Sequence, residues 1–399
     1  MKQSLARDAI VLGLLSAVGP FAIDMYLPAL PSIAAEFKAS DAAVQGSLIA
    51  FFLAVAVGQI VYGPVSDSLG RRAPLYFGMV FYSLGAIGSG LAPSIEWLIA
   101  ARFVQGIGAC AGMTIPRAIV RDLHTGADAA RLMSLIMLVF SAAPILAPLF
   151  GSTVIAVANW RVIFDVVALI GVLGVAITFL VLDETRPAEK RVPMDPASVV
   201  RGYLELFRDR AFIGIVLVGG FGSASFFSFL SGSSFVYIDH FGLTPTQFSF
   251  AFAINAISFI GSAQSTSRLA RRFGLKNVVR GSVTLYLLAT GILFGATLAG
   301  LDNVYALIAM LLVSYGFMGP LGPATAVLAL EHHGPRAGSA SALMGTLQLV
   351  VAMAVVTVTG AVSNGSVLPM ASAIFGCAAV AFGISLFALN GGEPAEAAE

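Results

Sequence analysis

The chain has 399 residues, of which 58% are hydrophobic and 11% are charged, and its formal net charge at pH 7 is +1. An ordinary soluble domain carries about 25% charged residues, so this composition excludes a water-soluble globular fold and predicts a membrane protein. A net charge this close to zero gives no reason to expect a nucleic-acid partner. Both cysteines, Cys110 and Cys377, lie in apolar stretches, which indicates small buried side chains rather than a disulfide or a metal site.

Apolar stretches of about 20 residues, the length that a membrane helix requires, recur along the whole chain. The first follows Lys2 and Arg7 without a small-residue cleavage pattern, so we expect an uncleaved first span rather than a signal peptide. Twelve spans are predicted, at residues 9–30, 42–64, 74–92, 96–118, 131–157, 161–182, 211–237, 246–267, 277–299, 303–326, 337–362 and 366–390.

Basic residues are distributed asymmetrically between the two predicted faces of the membrane. If the N-terminus is cytoplasmic, 19 of the 22 Lys and Arg residues fall in the inner segments. Because cytoplasmic loops are enriched in Lys and Arg, this bias predicts an even number of crossings with both termini cytoplasmic.

A polar segment at residues 183–210 divides the predicted spans equally. We therefore expect an N-terminal six-helix bundle at residues 1–182, a cytoplasmic linker at 183–210 and a C-terminal six-helix bundle at 211–390. The short, Ala-rich and acidic segment 391–399 is expected to be a disordered tail.

The hairpin between the second and third predicted spans is the most specific motif of the chain. Residues 63–72 read Gly-Pro-Val-Ser-Asp-Ser-Leu-Gly-Arg-Arg. Gly63 is expected to let two helices approach closely, and Gly70 is expected to permit a sharp turn. Asp67, Arg71 and Arg72 are suited to charge-assisted hydrogen bonds at the membrane face. The alternative is an ordinary basic loop that only orients the protein.

A degenerate copy of this motif occurs at residues 268–276, in the second half of the chain. Gly70 and Gly274 are 204 residues apart, about half of the chain length. The spacing favours a duplicated unit over two unrelated basic loops. The predicted fold class is therefore an all-α membrane protein with twelve transmembrane helices in two pseudo-symmetric six-helix bundles and a working cavity between them.

Several motifs, in this order and spacing, resemble one transporter family. Residues 63–72 resemble the signature loop between helices two and three of the major facilitator superfamily. Four further segments are similar to its twelve-helix drug:proton antiporters, most closely to the bicyclomycin/chloramphenicol-resistance type: residues 24–31, 102–109, 160–164 and 337–343.

The segment 143–151 resembles the fifth-helix antiporter motif of the same family, in which Pro144, Pro148 and Gly151 would shape a bend. The chain departs from the family pattern at two positions. Ser152 stands where a second glycine is common, and Asp165 stands where an apolar or aromatic residue is expected.

The resemblance implies proton-coupled secondary active efflux of small amphipathic or hydrophobic compounds by alternating access. It implies a monomer in the bacterial cytoplasmic (inner) membrane that is driven by the proton gradient and requires no cofactor. Its partners would be the lipid bilayer, protons and a small hydrophobic substrate.

Two charged residues within the predicted spans are candidates for proton coupling, because charges in hydrocarbon are costly and usually functional. At 1.5 Å per residue, Asp24 and Arg102 both lie roughly 10 Å from the predicted outer boundary, so we expect them to pair directly or through water. Gln105, one turn beyond Arg102, is expected to join them. The alternative is a static ion pair that fixes helix register.

Two further acids have more than one interpretation. Asp165 follows Arg161 by four residues, which favours an i,i+4 ion pair over a second proton site. The resemblance implies that Asp67 holds one transport state by bonding to neighbouring helix ends, and the expected partners are Arg117 or the amino end of the eleventh span.

Aromatic and polar side chains in the predicted spans suit the lining of a cavity for amphipathic molecules. Residues 221–229 combine phenylalanines with hydroxyl groups. The alternative for each phenylalanine is core packing or contact with lipid. The candidate lining residues are Tyr26, Phe226, Phe227, Phe229, Asn255 and Gln348.

Other functions find less support. Uptake or export of a sugar or organic acid would favour more carboxamides or cations in the spans. A membrane-embedded enzyme or a receptor would need clustered His, Asp or Glu, or a large extramembrane domain. Glu331, His332 and His333 are adjacent but not spaced for one metal ion, and no phosphate-binding loop occurs. We therefore expect neither catalysis nor a metal site.

Overall fold

A computed structural model describes residues 5–191, 195–331, 333 and 337–389, and the part of the chain that it describes is helical and contains no strand. The predicted disordered tail at 391–399, His332 and Lys2 lie outside these residues. The helices are α1 (Leu5–Asp24), α2 (Leu30–Phe37), α3 (Asp41–Leu69), α4 (Arg72–Gly90), α5 (Ile95–Leu123), α6 (Gly126–Val157), α7 (Arg161–Leu180), α8 (Pro196–Arg208), α9 (Arg210–Ser234), α10 (Pro245–Ala263), α11 (Thr266–Phe273), α12 (Leu275–Leu298), α13 (Val304–Met318), α14 (Leu321–Leu330), α15 (Ala337–Ala361) and α16 (Val367–Ala388).

The all-α membrane fold is confirmed, and the span count is confirmed in part. Within the described residues, 10 helical stretches are long and apolar enough to cross a bilayer. Helices α4 and α10 occupy the places of the third and eighth predicted spans and have 19 residues each, but they are not among these stretches. A helix of that length measures about 28 Å, close to the thickness of the hydrocarbon core.

Three of the predicted spans are interrupted. The first breaks after α1 and continues through a 3₁₀ turn, Leu27–Ala29, into α2. The seventh ends in a π-helical turn, Phe235–His240, and the tenth breaks at Gly319 and Pro320 between α13 and α14. Irregular backbone at membrane depth is tolerated where it is buried in protein or lines a cavity.

The chain forms two compact units. The first comprises Met1–Asp195 with Tyr237–Ala253, and the second comprises Pro196–Val236 with Ile254–Glu399. In the first unit, α5 packs against α1, α3 and α4. In the second unit, α9 packs against α14, α15 and α16.

The two copies of the hairpin motif share a backbone conformation. Gly70 ends α3 with φ of 93°, and Gly274 ends α11 with φ of 78°. The next long helix begins within two residues of each glycine, at Arg72 and at Leu275. L-residues with a side chain avoid this region, so the same turn requires glycine in both places. The duplication of the whole six-helix unit stays a prediction.

Candidate functional site

Asp24 lies at the break in the first span. Pro28 lacks a backbone N–H and disfavours helical geometry at the residue before it, which explains why regular helix does not run through this segment. The Asp24 side chain is buried, with 4% of the residue exposed. Among the contacts of the described residues, no hydrogen bond or ion pair involves its carboxyl group.

Small residues along α5 bring three other helices close to Arg102. A Cβ atom at Gly106 would overlap the backbone carbonyl of Phe51 in α3, and one at Gly112 would lie 2.7 Å from the carbonyl oxygen of Leu15 in α1. Glycine at these positions permits backbone-to-backbone contact, as is common between membrane helices. The close packing places the side chain of Arg102 inside the first unit, where it is 0% exposed.

Aromatic rings surround the Arg102 guanidinium. Its Cζ atom lies 4.4 Å from the ring centre of Phe51, 4.9 Å from that of Tyr26 and 5.8 Å from that of Phe164. Nη1 donates to Oε1 of Gln105 at 2.5 Å, whereas Nε and Nη2 have no hydrogen-bond partner. Stacking on aromatic faces stabilises a desolvated cation by about 2 kcal/mol, less than the cost of burying it alone.

The direct form of the predicted Asp24–Arg102 pair is absent from this conformation, and pairing through water stays a prediction. No ion pair within 4 Å joins these two described residues, although both are buried in the same unit. Tyr26, two residues after the end of α1, occupies one face of the guanidinium instead, and its hydroxyl is hydrogen-bonded to Ser47 of α3. The predicted contact between Arg102 and Gln105 is present.

The predicted antiporter motif in α6 contacts the break beside Asp24. A Cβ atom at Gly151 would overlap the carbonyl oxygen of Met25, the residue after Asp24, and would lie 3.2 Å from the ring of Pro28. Helix α6 continues through Pro144 and Pro148. The bend at these prolines stays a prediction.

Two serines accompany this motif. Ser152 is buried, and its hydroxyl donates to the carbonyl of Leu149 at 2.9 Å, so the serine that replaces a glycine here fits within the packed helix. Ser249 of α10, in the same compact unit, donates to the carbonyl oxygen of Pro148 at 2.9 Å.

Arg71 is the centre of an ionic network at the end of α3. Its guanidinium contacts Asp67 Oδ1 at 2.8 Å and Asp122 Oδ2 of α5 at 2.7 Å. Arg186, which follows α7, lies 3.0 Å from the same oxygen of Asp67. Burial alone would lower the pKa of Arg71, but the hydrogen bonds and negative charges of Asp122 and Asp67 raise it above its usual value.

Glu184 completes this network through backbone groups. Its carboxylate accepts from the amides of Arg71 at 2.9 Å and Arg72 at 3.2 Å. It also lies where a side chain at Gly70 would be, since a Cβ there would come within 2.5 Å of Glu184 Oε2. The side chain of Arg72 donates to the carbonyls of Thr178 and Phe179 at the end of α7.

The predicted Asp67–Arg117 contact is therefore absent from this conformation, and the other predicted partner, the amino end of the eleventh span, stays a prediction. Asp67 pairs with Arg71 and Arg186, and not with Arg117, whose guanidinium lies 5.0 Å from the ring centre of Phe140. Sequence reasoning missed Asp122, Glu184 and Arg186 as members of the network. The charge-rich segment after the sixth predicted span was the only available signal, and it does not specify a partner. At Gly63, a Cβ would meet nothing within 4 Å, so the predicted close helix approach there is wrong.

The predicted Arg161–Asp165 ion pair is also absent from this structure. Arg161 pairs with Glu36 of α2, and its Nη2 donates to the carbonyl of Ala92 at 3.0 Å. Glu36 also accepts from the indole Nε1 of Trp160 at 2.6 Å. These contacts direct the Arg161 side chain toward Glu36 and Ala92 rather than toward Asp165. Asp165 is exposed.

In the second unit, two of the predicted cavity residues belong to an aromatic cluster. Phe226 stacks on Phe259 with ring centres 5.3 Å apart, and Phe229 lies 5.3 Å from Tyr315. Phe226 also meets Tyr315 edge-on at 5.8 Å. The sequence analysis did not single out Phe259 or Tyr315, because aromatic residues are common throughout the spans.

The other three predicted cavity residues of this unit lie at separate positions and do not extend the aromatic cluster as a group. Phe227 packs on another side of α9, beside Ala352 and Cys377. Asn255 is buried in α10, one helical turn before Phe259. Gln348 lies against α9, because its Nε2 is 3.1 Å from the position of a Cβ atom at Gly219.

No group of three or more His, Cys, Asp or Glu side chains that is suited to a metal ion occurs in the described part of the chain.

The sequence matches a known family model. The model of the family described as Major Facilitator Superfamily matches residues 12–357.

Two relatives and one solved structure illustrate the similarity. The chain is 38% identical to "Uncharacterized MFS-type transporter YdgK" of Bacillus subtilis, over 94% of this chain and 93% of the relative. It is 29% identical to "Bicyclomycin resistance protein homolog" of Haemophilus influenzae, over 93% of each. The crystal structure of a D-xylose-proton symporter aligns with a TM-score of 0.74 at 15% identity, over 97% of both chains, and this likeness concerns the fold alone.

Proposed function

The chain belongs to the major facilitator superfamily, and we propose that it exports small amphipathic or hydrophobic compounds in exchange for protons by alternating access. The observation that carries this proposal is a buried acid at a helix break, in the same unit as a buried guanidinium that lacks a carboxylate partner. The name of the relative from Haemophilus influenzae, a bicyclomycin resistance protein homolog, supports export of antibiotics.

Asp24 carries the transported proton in this scheme, and it is protonated in the conformation described. An ionised carboxylate that is buried without a partner costs several kcal/mol, whereas a neutral carboxyl group costs much less. When Asp24 loses its proton, the unpartnered nitrogens Nε and Nη2 of Arg102 offer the charge and hydrogen bonds that stabilise a carboxylate. Substrate binding or helix movement selects between the two states of Asp24.

The second unit contributes apolar and weakly polar surface to substrate binding. No charged residue occurs in α9 after Arg210, in α10 or in α15. Aromatic rings such as Phe226 and Phe229 offer large contact area, and serine hydroxyls offer weak anchors. This composition suits uncharged or amphipathic compounds better than organic acids.

The Arg71 network acts as the cytoplasmic gate, with Asp67 as its exposed member. The chain works as a monomer in the bacterial inner membrane, with both termini cytoplasmic and the proton gradient as its energy source. It needs no cofactor.

A resistance panel in an efflux-deficient bacterial host tests the proposal. Expression of the wild-type chain should raise the inhibitory concentration of bicyclomycin or of other amphipathic antibiotics, and a proton uncoupler should abolish the gain. D24N should insert at the wild-type level and confer no resistance, whereas D128N, which changes an exposed acid of α6, should behave like the wild type. Growth on a sugar or organic acid, with no resistance to any compound, would contradict the proposal.

A further inference from the structure

Helix α8 is a separate short helix at the start of the second unit. The chain leaves helical geometry at Asp209, whose φ and ψ are −78° and 102°. Asp209 Oδ1 accepts from the amides of Ala211 at 2.9 Å and Phe212 at 3.1 Å, which caps α9. Its other oxygen, Oδ2, lies 3.2 Å from His333 Nε2. Because these contacts fix the junction, α8 does not extend α9.

One face of α8 is packed on the protein. Leu206 is buried in a cluster with Phe212, Val216 and Leu343, and Tyr203 packs against the same cluster. Phe212 and Val216 belong to the first two turns of α9, which begins a candidate membrane span. Helix α8 therefore lies at the level where this span begins, in the interfacial zone of a bilayer.

A second face of α8 is apolar and exposed. Val200, Leu204 and Phe207 are 55%, 54% and 49% exposed, and their spacing of four and three residues places them on one stripe. We call these three residues the α8 stripe. A helix face that is exposed to water normally carries polar residues. The exposed apolar side chains of the α8 stripe therefore indicate an apolar neighbour.

The charged residues of α8 lie to one side of the α8 stripe. At about 100° per residue, Arg201 and Arg208 fall roughly 90° from the centre of the stripe, and Glu205 falls farther round, at about 140°. Both arginines are exposed. Arginine side chains in this position reach headgroup phosphates while the neighbouring apolar side chains enter the acyl region.

We propose that the α8 stripe is a lipid-docking surface that seats on anionic phospholipid of the leaflet nearest the start of α9. The helices of the second unit lie in the bilayer, and α8 packs where one of them begins, so lipid covers the α8 stripe without a further partner. Arg201 and Arg208 add the charge that favours anionic over neutral headgroups. The interface anchors the first helix of the second unit to the membrane, beyond any role in proton exchange.

Nitroxide accessibility on the full-length chain in vesicles tests this placement. The background replaces the two buried cysteines (C110S, C377A), and labels are attached at L204C or V200C on the stripe and at E205C as the matched control. In vesicles that contain phosphatidylglycerol, we expect the stripe labels to collide several-fold more with oxygen, relative to a water-soluble nickel chelate, than the E205C label does.

Equal nickel accessibility at both stripe positions and at E205C would place the α8 stripe in water and overturn the proposal. Spin–spin broadening at L204C that disappears on dilution with unlabelled protein would show a second copy as the occupant, which also overturns it.

A separate experiment tests whether the α8 stripe prefers anionic headgroups. Replacing phosphatidylglycerol by phosphatidylcholine should raise nickel accessibility at L204C. R201Q/R208Q should remove this lipid dependence, whereas R268Q, which changes an exposed arginine of α11, should keep it. A double variant with unchanged lipid dependence would show that anionic headgroups are not what the two arginines bind.

Discussion

Arg102 illustrates how one residue can be buried at a cost that the surrounding protein does not fully offset. Three aromatic rings and Gln105 stabilise its charge, but Nε and Nη2 remain without hydrogen-bond partners. Such a group stabilises any arrangement in which an acceptor approaches it. This uncompensated state is a reason to regard Arg102 as part of a changing contact rather than a fixed one.

Gly70 is the residue for which a substitution has the clearest expected effect. G70A introduces a side chain at φ of 93° and within 2.5 Å of Glu184 Oε2, so we expect it to destabilise the protein by about 1–3 kcal/mol. G63A is the matched control, because a Cβ there meets nothing within 4 Å and alanine favours helix. Thermal unfolding in detergent should show a lower midpoint for G70A alone. Equal midpoints for the two variants would contradict this account of the turn.

Residue identities were predictable to the extent that they depend on local chemistry. Costly charges in apolar stretches indicated Asp24 and Arg102, and the need for positive φ indicated Gly70. The absence of a direct Asp24–Arg102 pair was not predictable, because equal depth in two helices does not define which way each side chain points. The break after α1 places the ring of Tyr26 against the guanidinium of Arg102 in α5.

Among the elements, α6 is the one that links the antiporter motif to the proton site. G151A would place a methyl group on the carbonyl oxygen of Met25, so we expect α6 or the break beside Asp24 to shift, at a cost of about 1–3 kcal/mol. G281A in α12 is the control, since its Cβ meets nothing within 4 Å. Proton-driven uptake into inverted vesicles should fall strongly for G151A and stay at the wild-type rate for G281A. Full transport by G151A would show that this contact is dispensable.

The last turn of α3 and the segment after α7 act together through Asp67 and Arg186. D67A and R186Q should each impair transport, while the unfolding midpoint changes little, because a pair that is 45% exposed on the Asp67 side contributes only about 0–1 kcal/mol. The double variant should be no worse than either single variant if one contact is responsible. Additive losses in the transport rate would indicate that the two residues act separately.

The positions of the helices could be predicted from composition, but their interruptions could be predicted from the sequence only in part. Pro28 and Pro320 stand at two of the breaks, and prolines are readable signals. The π-helical turn Phe235–His240 has no comparable signal in the sequence. Partners between elements, such as Asp67 and Arg186, depend on the rotation of each helix, which a single sequence does not specify.

At the scale of the whole molecule, the two compact units differ in chemistry. Buried charge is a property of the first unit, which contains Asp24 and Arg102, whereas the aromatic cluster around Phe226 and Tyr315 belongs to the second. The all-α membrane fold was predictable because 58% hydrophobic residues leave no other solvent than lipid. The number of spans was confirmed only in part, because α4 and α10, with 19 residues each, are not among the helical stretches that are long and apolar enough to cross a bilayer.

The central claim is that Asp24 holds the exchanged proton, and infrared difference spectroscopy on the purified chain tests it directly. As the pH is raised, the wild-type protein should lose a band of a protonated, buried carboxyl group. D24N should lack this band and D128N should retain it. A band of unchanged intensity in D24N would assign the proton to another residue and contradict the account.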